Sequence, residues 1–440
     1  MRSRTPKPLH RVAGKELIRF PVELLAGCGV QQIMVVASPD NFDAIYSVLG
    51  DGVTYAVQPN PDGTADALAC ALAQLPTVPP LVLVMAGDTP LVRLESVQKL
   101  AAEHASVPDR RMTILSAADA FSEDLGRIER ASVTSDGRVG SVSAIVEAAD
   151  RVRQTYGPAE VNTGVYCFSG DWVAEHIGNV APAPSGERYL TALVATGADR
   201  GEDIAAMPIA LADESMGVNT REQLAGVEAA LRDRINCHWM ANGVTIVDLA
   251  TTYIDAGVAI GMDTVVLPNT MLSGNTNIGE ECQIGPNSVI QDTHIGDRCR
   301  VLASFLEGAH VASDVSIGPY CHLRPDTSIA NGVHLGNFVE VKNSHVGANT
   351  AAGHFCYLGD ADIGAGANIG AGTVTCNFDG VEKHRTAVGD GAFIGSDTML
   401  VAPVSVGRGA ATGAGSVVTK DVPAGRRAVG VPARLIPNVE

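Results

Sequence analysis

Val311-Ala312-Ser313-Asp314-Val315-Ser316-Ile317-Gly318-Pro319-Tyr320-Cys321-His322-Leu323-Arg324-Pro325-Asp326-Thr327-Ser328-Ile329 is the stretch that decides the fold. Val311, Ile317, Leu323 and Ile329 fall at every sixth position, and the beat continues through Leu335 and Val341. Upstream it runs Ile260, Val266, Leu272, Ile278, Ile284 and Ile290, then slips by one residue at Ile295 and Val301. Downstream it returns at Ile363 and Ile369, and again from Val388 through Ile394, Leu400, Val406, Thr412 and Val418. A period of six matches neither the helical repeat nor the alternation of an ordinary strand. It fits a hexapeptide parallel β-helix, in which three hexads make one coil and each aliphatic residue stacks on its copies in the next. Glycine follows many of these residues, as in Ile284-Gly285, Ile369-Gly370 and Ile394-Gly395, where a corner leaves little room for a side chain. The largest break in phase, Thr375 to Thr386, is polar and carries a turn at Asp379-Gly380. It predicts a loop extruded from the rod, and function concentrates on such loops.

The first half has a different texture. Gln32–Ala37 and Leu81–Ala86 are continuous apolar runs, as expected of strands buried on both faces. Between them Ala67, Leu68, Ala71, Leu72 and Leu75 recur at helical spacing, so residues 1–212 read as an α/β domain. The second run ends in Gly87-Asp88, which places a carboxylate where open α/β sheets bind their ligands. Leu224, Val227, Ala230, Leu231 and Ile235 predict a helical arm within residues 213–242, with Thr220 as its cap and Glu222 or Gln223 completing a capping box. Residues 243–440 form the repeat domain.

Composition narrows the function. The 440 residues are enough for two or three domains. The net charge is −18, which argues against a nucleic-acid or anionic-membrane binder, because phosphate affinity comes from clustered Lys and Arg. No apolar stretch is long enough to predict a membrane-inserted helix, and Met1–Arg11 is basic without the apolar segment of a secretory signal. Nine cysteines without a Cys-x-x-Cys pair predict reduced, buried thiols and a cytoplasmic location.

Two blocks carry a resemblance: Gly353-His354-Phe355-Cys356-Tyr357-Leu358-Gly359-Asp360-Ala361, and Asn368-Ile369-Gly370-Ala371-Gly372-Thr373-Val374-Thr375-Cys376-Asn377-Phe378-Asp379-Gly380. They look like the acetyltransferase signature of the bacterial bifunctional N-acetylglucosamine-1-phosphate uridyltransferase/glucosamine-1-phosphate N-acetyltransferase family. The order of domains resembles that family over nearly the whole chain. The resemblance implies a nucleotidyltransferase-like (Rossmann-like) α/β domain followed by a left-handed parallel β-helix. It implies acetyl-CoA, UTP and sugar phosphates as substrates, Mg²⁺ as cofactor, and a homotrimer.

Matched position by position, His354 corresponds to the family's general base, a role that suits a side chain titrating near neutral pH. Arg324 and Lys342 correspond to the residues that hold the sugar phosphate, and Tyr357 and Asn368 to sugar contacts. Ala371, Asn377, Phe378, Ser396 and Ala414 correspond to the acetyl-CoA groove. Lys383 lies in the loop that the resemblance sends to a neighbouring subunit. In the first half, Lys7 corresponds to a phosphate-binding lysine, Gln58, Gly63 and Thr64 to the uracil site, Gly126, Glu147 and Asn162 to sugar contacts, and Asp88 and Asn219 to Mg²⁺ ligands. Oxygen ligands of this kind suit Mg²⁺.

The chain also departs from the family. Members open with a strand and Leu-x-x-Gly-x-Gly-Thr-Arg-Met, and this sequence starts at what corresponds to the final Met. The resemblance therefore predicts an N-terminally incomplete domain with little or no uridyltransferase activity. Gly63-Thr64-Ala65-Asp66-Ala67 stands where Gly-Thr-Gly-His-Ala is usual, Ala86 replaces a Tyr, and Tyr189-Leu190-Thr191-Ala192 lacks the usual Asp. The family's coenzyme A arginine near the end of the rod has no assigned counterpart in Val429–Arg434, where Arg434, and Arg426 just before it, are the candidate substitutes. Two other readings stay open from sequence: a sugar-1-phosphate nucleotidyltransferase of other specificity, and a non-catalytic paralogue of the same build.

Overall fold

The computed structural model describes residues 1–120, 124–131, 141–150 and 159–437. The chain divides into two units, Met1–Leu231 and Arg232–Glu440. The division falls inside one helix, Arg221–Ala241, which is the expected arm. Its start is a capping box. Thr220 Oγ1 accepts the Gln223 N–H at 3.1 Å, and Gln223 Oε1 accepts the Thr220 N–H at 3.0 Å.

The second unit is a three-faced solenoid. Its faces are sheets of 12, 10 and 9 strands among the described residues, parallel throughout except for the last strand of the first, and are entered at Thr245–Ile246, Thr252–Ile254 and Ala259–Ile260. The hexad residues visit the three faces in turn, so each meets its copy one coil later. On the first face the stack runs Ile284, Val301, Ile317, Leu335 and Ala352. The slip at Ile295 shortens a corner without breaking the ladder, since Ile278 still pairs with Ile295. The interruption after Val341 is of the same kind: Val346, Ala352 and Leu358 are fully buried and continue the stack. Thr375 takes one inward position, and its hydroxyl accepts the Gly359 N–H at 2.8 Å and bonds the Gly359 carbonyl at 2.9 Å.

A second set of interior positions, two residues before the hexad residue and present on all three faces, went unread in the sequence. It holds Thr264, Cys282, Cys299, Cys321, Ser344, Thr350 and Cys356, all buried. Thr264, Cys282, Ser344 and Thr350 accept bonds from backbone N–H groups one coil further on, as Thr264 Oγ1 does from Cys282 at 3.0 Å and Ser344 Oγ from Ala361 at 2.8 Å. This explains the cysteines: a small, weakly polar side chain fits these positions as well as Ser or Thr. All nine are unpaired. The expectation that all are buried fails for Cys237, which is exposed, and for Cys28, Cys70 and Cys376, which are half-buried. Burial pushes the Cys356 thiol up to about 12, which leaves it unreactive. The solenoid ends in an antiparallel hairpin of Arg427–Val429 and Arg434–Ile436 that covers the last parallel edge.

The first unit is α/β, with a six-stranded mixed sheet at its centre. The long strand Ala159–Ser169 pairs antiparallel with Arg110–Ala120, Leu81–Met85 and Arg127–Arg130, and Asp203–Pro208 runs parallel to Arg110–Ala120. Met34–Ala37 and Thr54–Val57 form a separate parallel pair. Leu81–Met85 was expected to be buried on both faces, yet all five residues are half-buried. The reason is pairing: among the described residues this strand has one partner, Ala159–Ser169. Phe168, Met112, Ile114 and Leu193, none detectably exposed, anchor the core between this sheet and the helices Thr64–Ala73 and Ala192–Asp199.

Candidate functional sites

On the solenoid, the residues matched by resemblance lie on one corner, on the two faces it joins and on the extruded loop. His354 lies on the corner joining the strands Ala351–Ala352 and Cys356–Gly359. Register carries that corner upward: Ala351 pairs with Asn368, Asn368 with Phe393, and Phe393 with Ala411. His354, Ala371, Ser396 and Ala414 each sit three residues past these positions, so they form one column on four successive coils. The spacing between coils is about 4.8 Å. The glycine before each small residue is obligatory for close coil packing. A Cβ on Gly370 would stand 2.5 Å from the Ser396 nitrogen, and one on Gly395 would stand 2.7 Å from the Ala414 nitrogen. The result is a smooth track with His354 at its lower end. The imidazole is exposed and bonds no group among the described residues, so both ring nitrogens are free for chemistry.

The adjoining face supplies charge. Arg324, Lys342 and Gly359 follow one another on three coils. Tyr357, on the same strand as Gly359, lays its ring over it, and a Cβ on Gly359 would fall 2.3 Å from the phenol oxygen. Arg324 pairs with Glu340 at 3.1 Å. Asn368, on the first face, is exposed beside the column.

The extruded loop is a closed hairpin. Phe378 and Lys383 bridge antiparallel, and Gly380 turns at φ 103°. Asp379 organises it: its carboxylate accepts the Val381 and Glu382 N–H groups at 2.8 and 2.7 Å and meets His384 Nε2 at 2.8 Å. The Glu382 N–H, His384 and the Val381 N–H together pull the Asp379 carboxyl down to about 2. At the base Asn377 donates to Asp360, and Arg385 pairs with Asp362 at 2.7 Å. Lys383, which the resemblance sends toward a neighbouring subunit, also lies near Lys342 of its own chain. That neighbour, chiefly by direct contact and then by charge, holds the Lys342 ammonium below the ordinary lysine value, and Arg324 adds to the effect. Three cations therefore converge on one spot, a relationship that sequence separation concealed.

In the first unit the expected residues form three groups. Lys7 Nζ stands 2.5 Å from Asp88 Oδ2 and 2.9 Å from Asn219 Oδ1. The loops bearing these oxygens are tied together, since the Val218 N–H bonds the Asp88 carbonyl at 3.1 Å. Glu214, which sequence reasoning missed, is fully buried and accepts the Arg93 N–H at 3.0 Å, pinning the same two loops. No spacing pattern marks it. Two side-chain oxygens converging on one cation suit a divalent metal that completes its shell with phosphate and water. Among the described residues no cluster of three His, Cys, Asp or Glu side chains competes for that role.

The second group is Gln58, Gly63 and Thr64. Gly63 adopts φ 113°, and a Cβ there would lie 2.4 Å from the Arg188 carbonyl oxygen, so only glycine fits. Thr64 Oγ1 accepts the Leu190 N–H at 2.9 Å. The third group is Gly126, Glu147 and Asn162. The Asn162 N–H bonds the Gly126 carbonyl at 2.8 Å, and a Cβ on Gly126 would press on Glu147. Thr191, one residue before Ala192 where the family's Asp is missing, donates to Glu147 Oε1 at 2.6 Å, which links this group to the second through Leu190.

Comparison with known proteins agrees with this division. Residues 1–152 match the MobA-like NTP transferase domain. Residues 308–343 match the bacterial transferase hexapeptide, and 275–303 and 385–420 match the hexapeptide repeat of succinyl-transferase. The bifunctional protein GlmU of Pelobacter propionicus is 42% identical over 98% of this chain and 92% of its own length. The chain belongs to the GlmU family. GlmU of Heliobacterium modesticaldum is 40% identical over 98% of this chain and 92% of its own, and that of Trichlorobacter lovleyi is 41% identical over 96% and 91%. Membership in the GlmU family makes the first unit a nucleotidyltransferase-like domain and the stacked coils a left-handed parallel β-helix of hexapeptide repeats. No helix among the described residues is long and apolar enough to cross a membrane.

Proposed function

We propose that this chain is a bifunctional transferase that makes UDP-N-acetylglucosamine in two steps. The solenoid transfers acetyl from acetyl-CoA to glucosamine-1-phosphate. The α/β unit transfers uridylyl from UTP to N-acetylglucosamine-1-phosphate and releases pyrophosphate. The observation that carries the first half is the exposed His354 at the foot of a small-residue column, on the coil after Arg324 and Lys342.

In the acetyl transfer, Arg324, Lys342 and Lys383 hold the sugar phosphate, whose dianion relieves the repulsion among them. Tyr357 and Asn368 orient the sugar ring. Pantetheine lies along Ala371, Ser396 and Ala414, where no side chain keeps it from the backbone, beside Asn377 and Phe378. His354 takes a proton from the glucosamine amine as its nitrogen attacks the thioester carbonyl. The new C–N bond forms, the C–S bond breaks, and coenzyme A leaves as its thiol.

In the uridylyl transfer, Gln58, Gly63 and Thr64 seat the base, Gly126, Glu147 and Asn162 hold the acetylated sugar phosphate, and Lys7 steadies the triphosphate. Asp88 and Asn219 would hold Mg²⁺, which supplies neutralisation of the polyphosphate charge when bound. A homotrimer accounts for the loop tip, where Phe378 is 59% and Val381 85% exposed, an apolar pair that another copy of the chain would cover. The unpaired thiols support a cytoplasmic setting.

Two assays on the full chain test this reading. Thiol release from acetyl-CoA should depend on glucosamine-1-phosphate, and pyrophosphate release from UTP should depend on N-acetylglucosamine-1-phosphate and Mg²⁺. Absence of the first overturns the acetyltransferase assignment, and absence of the second overturns the uridyltransferase assignment.

A further inference from the structure

Asp66 stands where the family usually has histidine, and it is bonded to the residue matched to the nucleobase site. Gln58 Nε2 donates to Asp66 Oδ2 at 2.9 Å and to the Gly63 carbonyl at 3.1 Å. Both partners are acceptors with no hydrogen to give. The two Nε2 hydrogens are therefore both taken, and the orientation of the amide is fixed by chemistry. Gln58 Oε1 accepts no bond among the described residues and belongs to a half-exposed side chain. The anchors are firm. Asp66 is half-buried in the first turn of the Thr64–Ala73 helix. Gly63 is clamped by Arg188, whose N–H bonds the Asp62 carbonyl at 2.7 Å while its carbonyl accepts the Ala65 N–H at 2.9 Å.

We infer that Asp66 sets the nucleobase preference of the α/β unit by holding Gln58 with only its carbonyl oxygen turned to the ligand. The inference rests on the uridyltransferase reading above. A fixed acceptor asks the base for a donor. Uracil offers N3–H between two carbonyls, whereas cytosine has a lone pair at N3 and carries its donor on the exocyclic N4, so an acceptor placed for N3 would face an acceptor. A buried acceptor opposed by an acceptor forfeits the bond and its desolvation, which predicts a preference for uridine over cytidine nucleotides of at least about tenfold. Asp66 does not touch the base in this arrangement. It is a positioning residue that acts through Gln58.

The experiment is calorimetric binding of UDP and CDP to the full chain with Mg²⁺, for the unaltered protein and for Asp66→Ala, alongside pyrophosphate release from UTP and CTP. Without Asp66 the amide can turn its NH₂ outward, so the UDP/CDP affinity ratio should fall by about fivefold or more, largely through tighter CDP binding. Inorganic pyrophosphate binding and the melting temperature serve as controls for folding. If Asp66 is merely structural, both nucleotides weaken together and the ratio holds, which overturns the inference. An unaltered protein that binds UDP and CDP equally overturns it too. A protein that prefers UDP, loses that preference in Asp66→Ala, and turns over neither triphosphate would keep the inference and sink the uridyltransferase reading.

Discussion

Lys342 and Lys383 lie near one another, close enough that Lys383 holds the Lys342 ammonium below the ordinary lysine value, with Arg324 adding to the effect. Such a cluster is unfavourable without an anion, and its arrangement fits a phosphate dianion. The sign of its pH dependence follows. Lys383 lowers the Lys342 pKa, so Lys342 loses its charge at a lower pH than an isolated lysine would. Lys383→Ala should raise KM for glucosamine-1-phosphate by roughly tenfold, the worth of one charge-assisted contact. It should also move the alkaline limb of the kcat/KM profile to higher pH. A limb that moves down, or stays in place, separates the two lysines.

His354→Ala should lower kcat for acetyl transfer by roughly 10²–10⁴-fold, with little change in KM for either substrate. Thiol release measured in both proteins decides it. Wild-type kcat in the variant would remove His354 from the chemistry.

Gly63→Ala should abolish nucleotide binding by the first unit, because the new Cβ meets the Arg188 backbone at 2.4 Å in a left-handed conformation. Acetyl transfer should be unchanged. A parallel loss of both activities would show that the substitution unfolds more than its own loop.

Lys7→Ala tests the cation seat formed with Asp88 and Asn219. Pyrophosphate release should fall by at least about a hundredfold, while Mn²⁺ binding in the absence of nucleotide, followed by electron paramagnetic resonance, should tighten. The ammonium that meets both oxygens is then gone. Weaker Mn²⁺ binding in the variant would mean that the two oxygens do not form a metal seat.

Ile284→Ala removes a fully buried member of the central stack, far in sequence from His354. It should cost about 2–5 kcal/mol and lower the denaturation midpoint of the solenoid. A sedimentation measurement on the unaltered chain, expected to give three protomers, tests the trimer.

The sequence by itself determined the rod. A six-residue beat is a local code: each hexad specifies one strand, one corner and one inward side chain, and stacking copies needs no distant information. His354 and the small residues above it were marked by resemblance, and strand register then aligned them on successive coils although the extruded loop lengthens one of those coils. Even the one-residue slips at Ile295 and Val346 did no harm, since a shortened corner preserves the stack.

Where no repeat relates the positions, tertiary structure had to decide. Only the fold brought Lys383 against Lys342, tied Asp66 to Gln58 and joined Thr191 to Glu147. The half-burial of Leu81–Met85 was equally illegible, for an apolar run states what a strand could bury and not which neighbours pair with it. The physical reason is one and the same. Periodic packing is additive along the chain, whereas a side-chain hydrogen bond between loops depends on where two separate paths of backbone happen to meet.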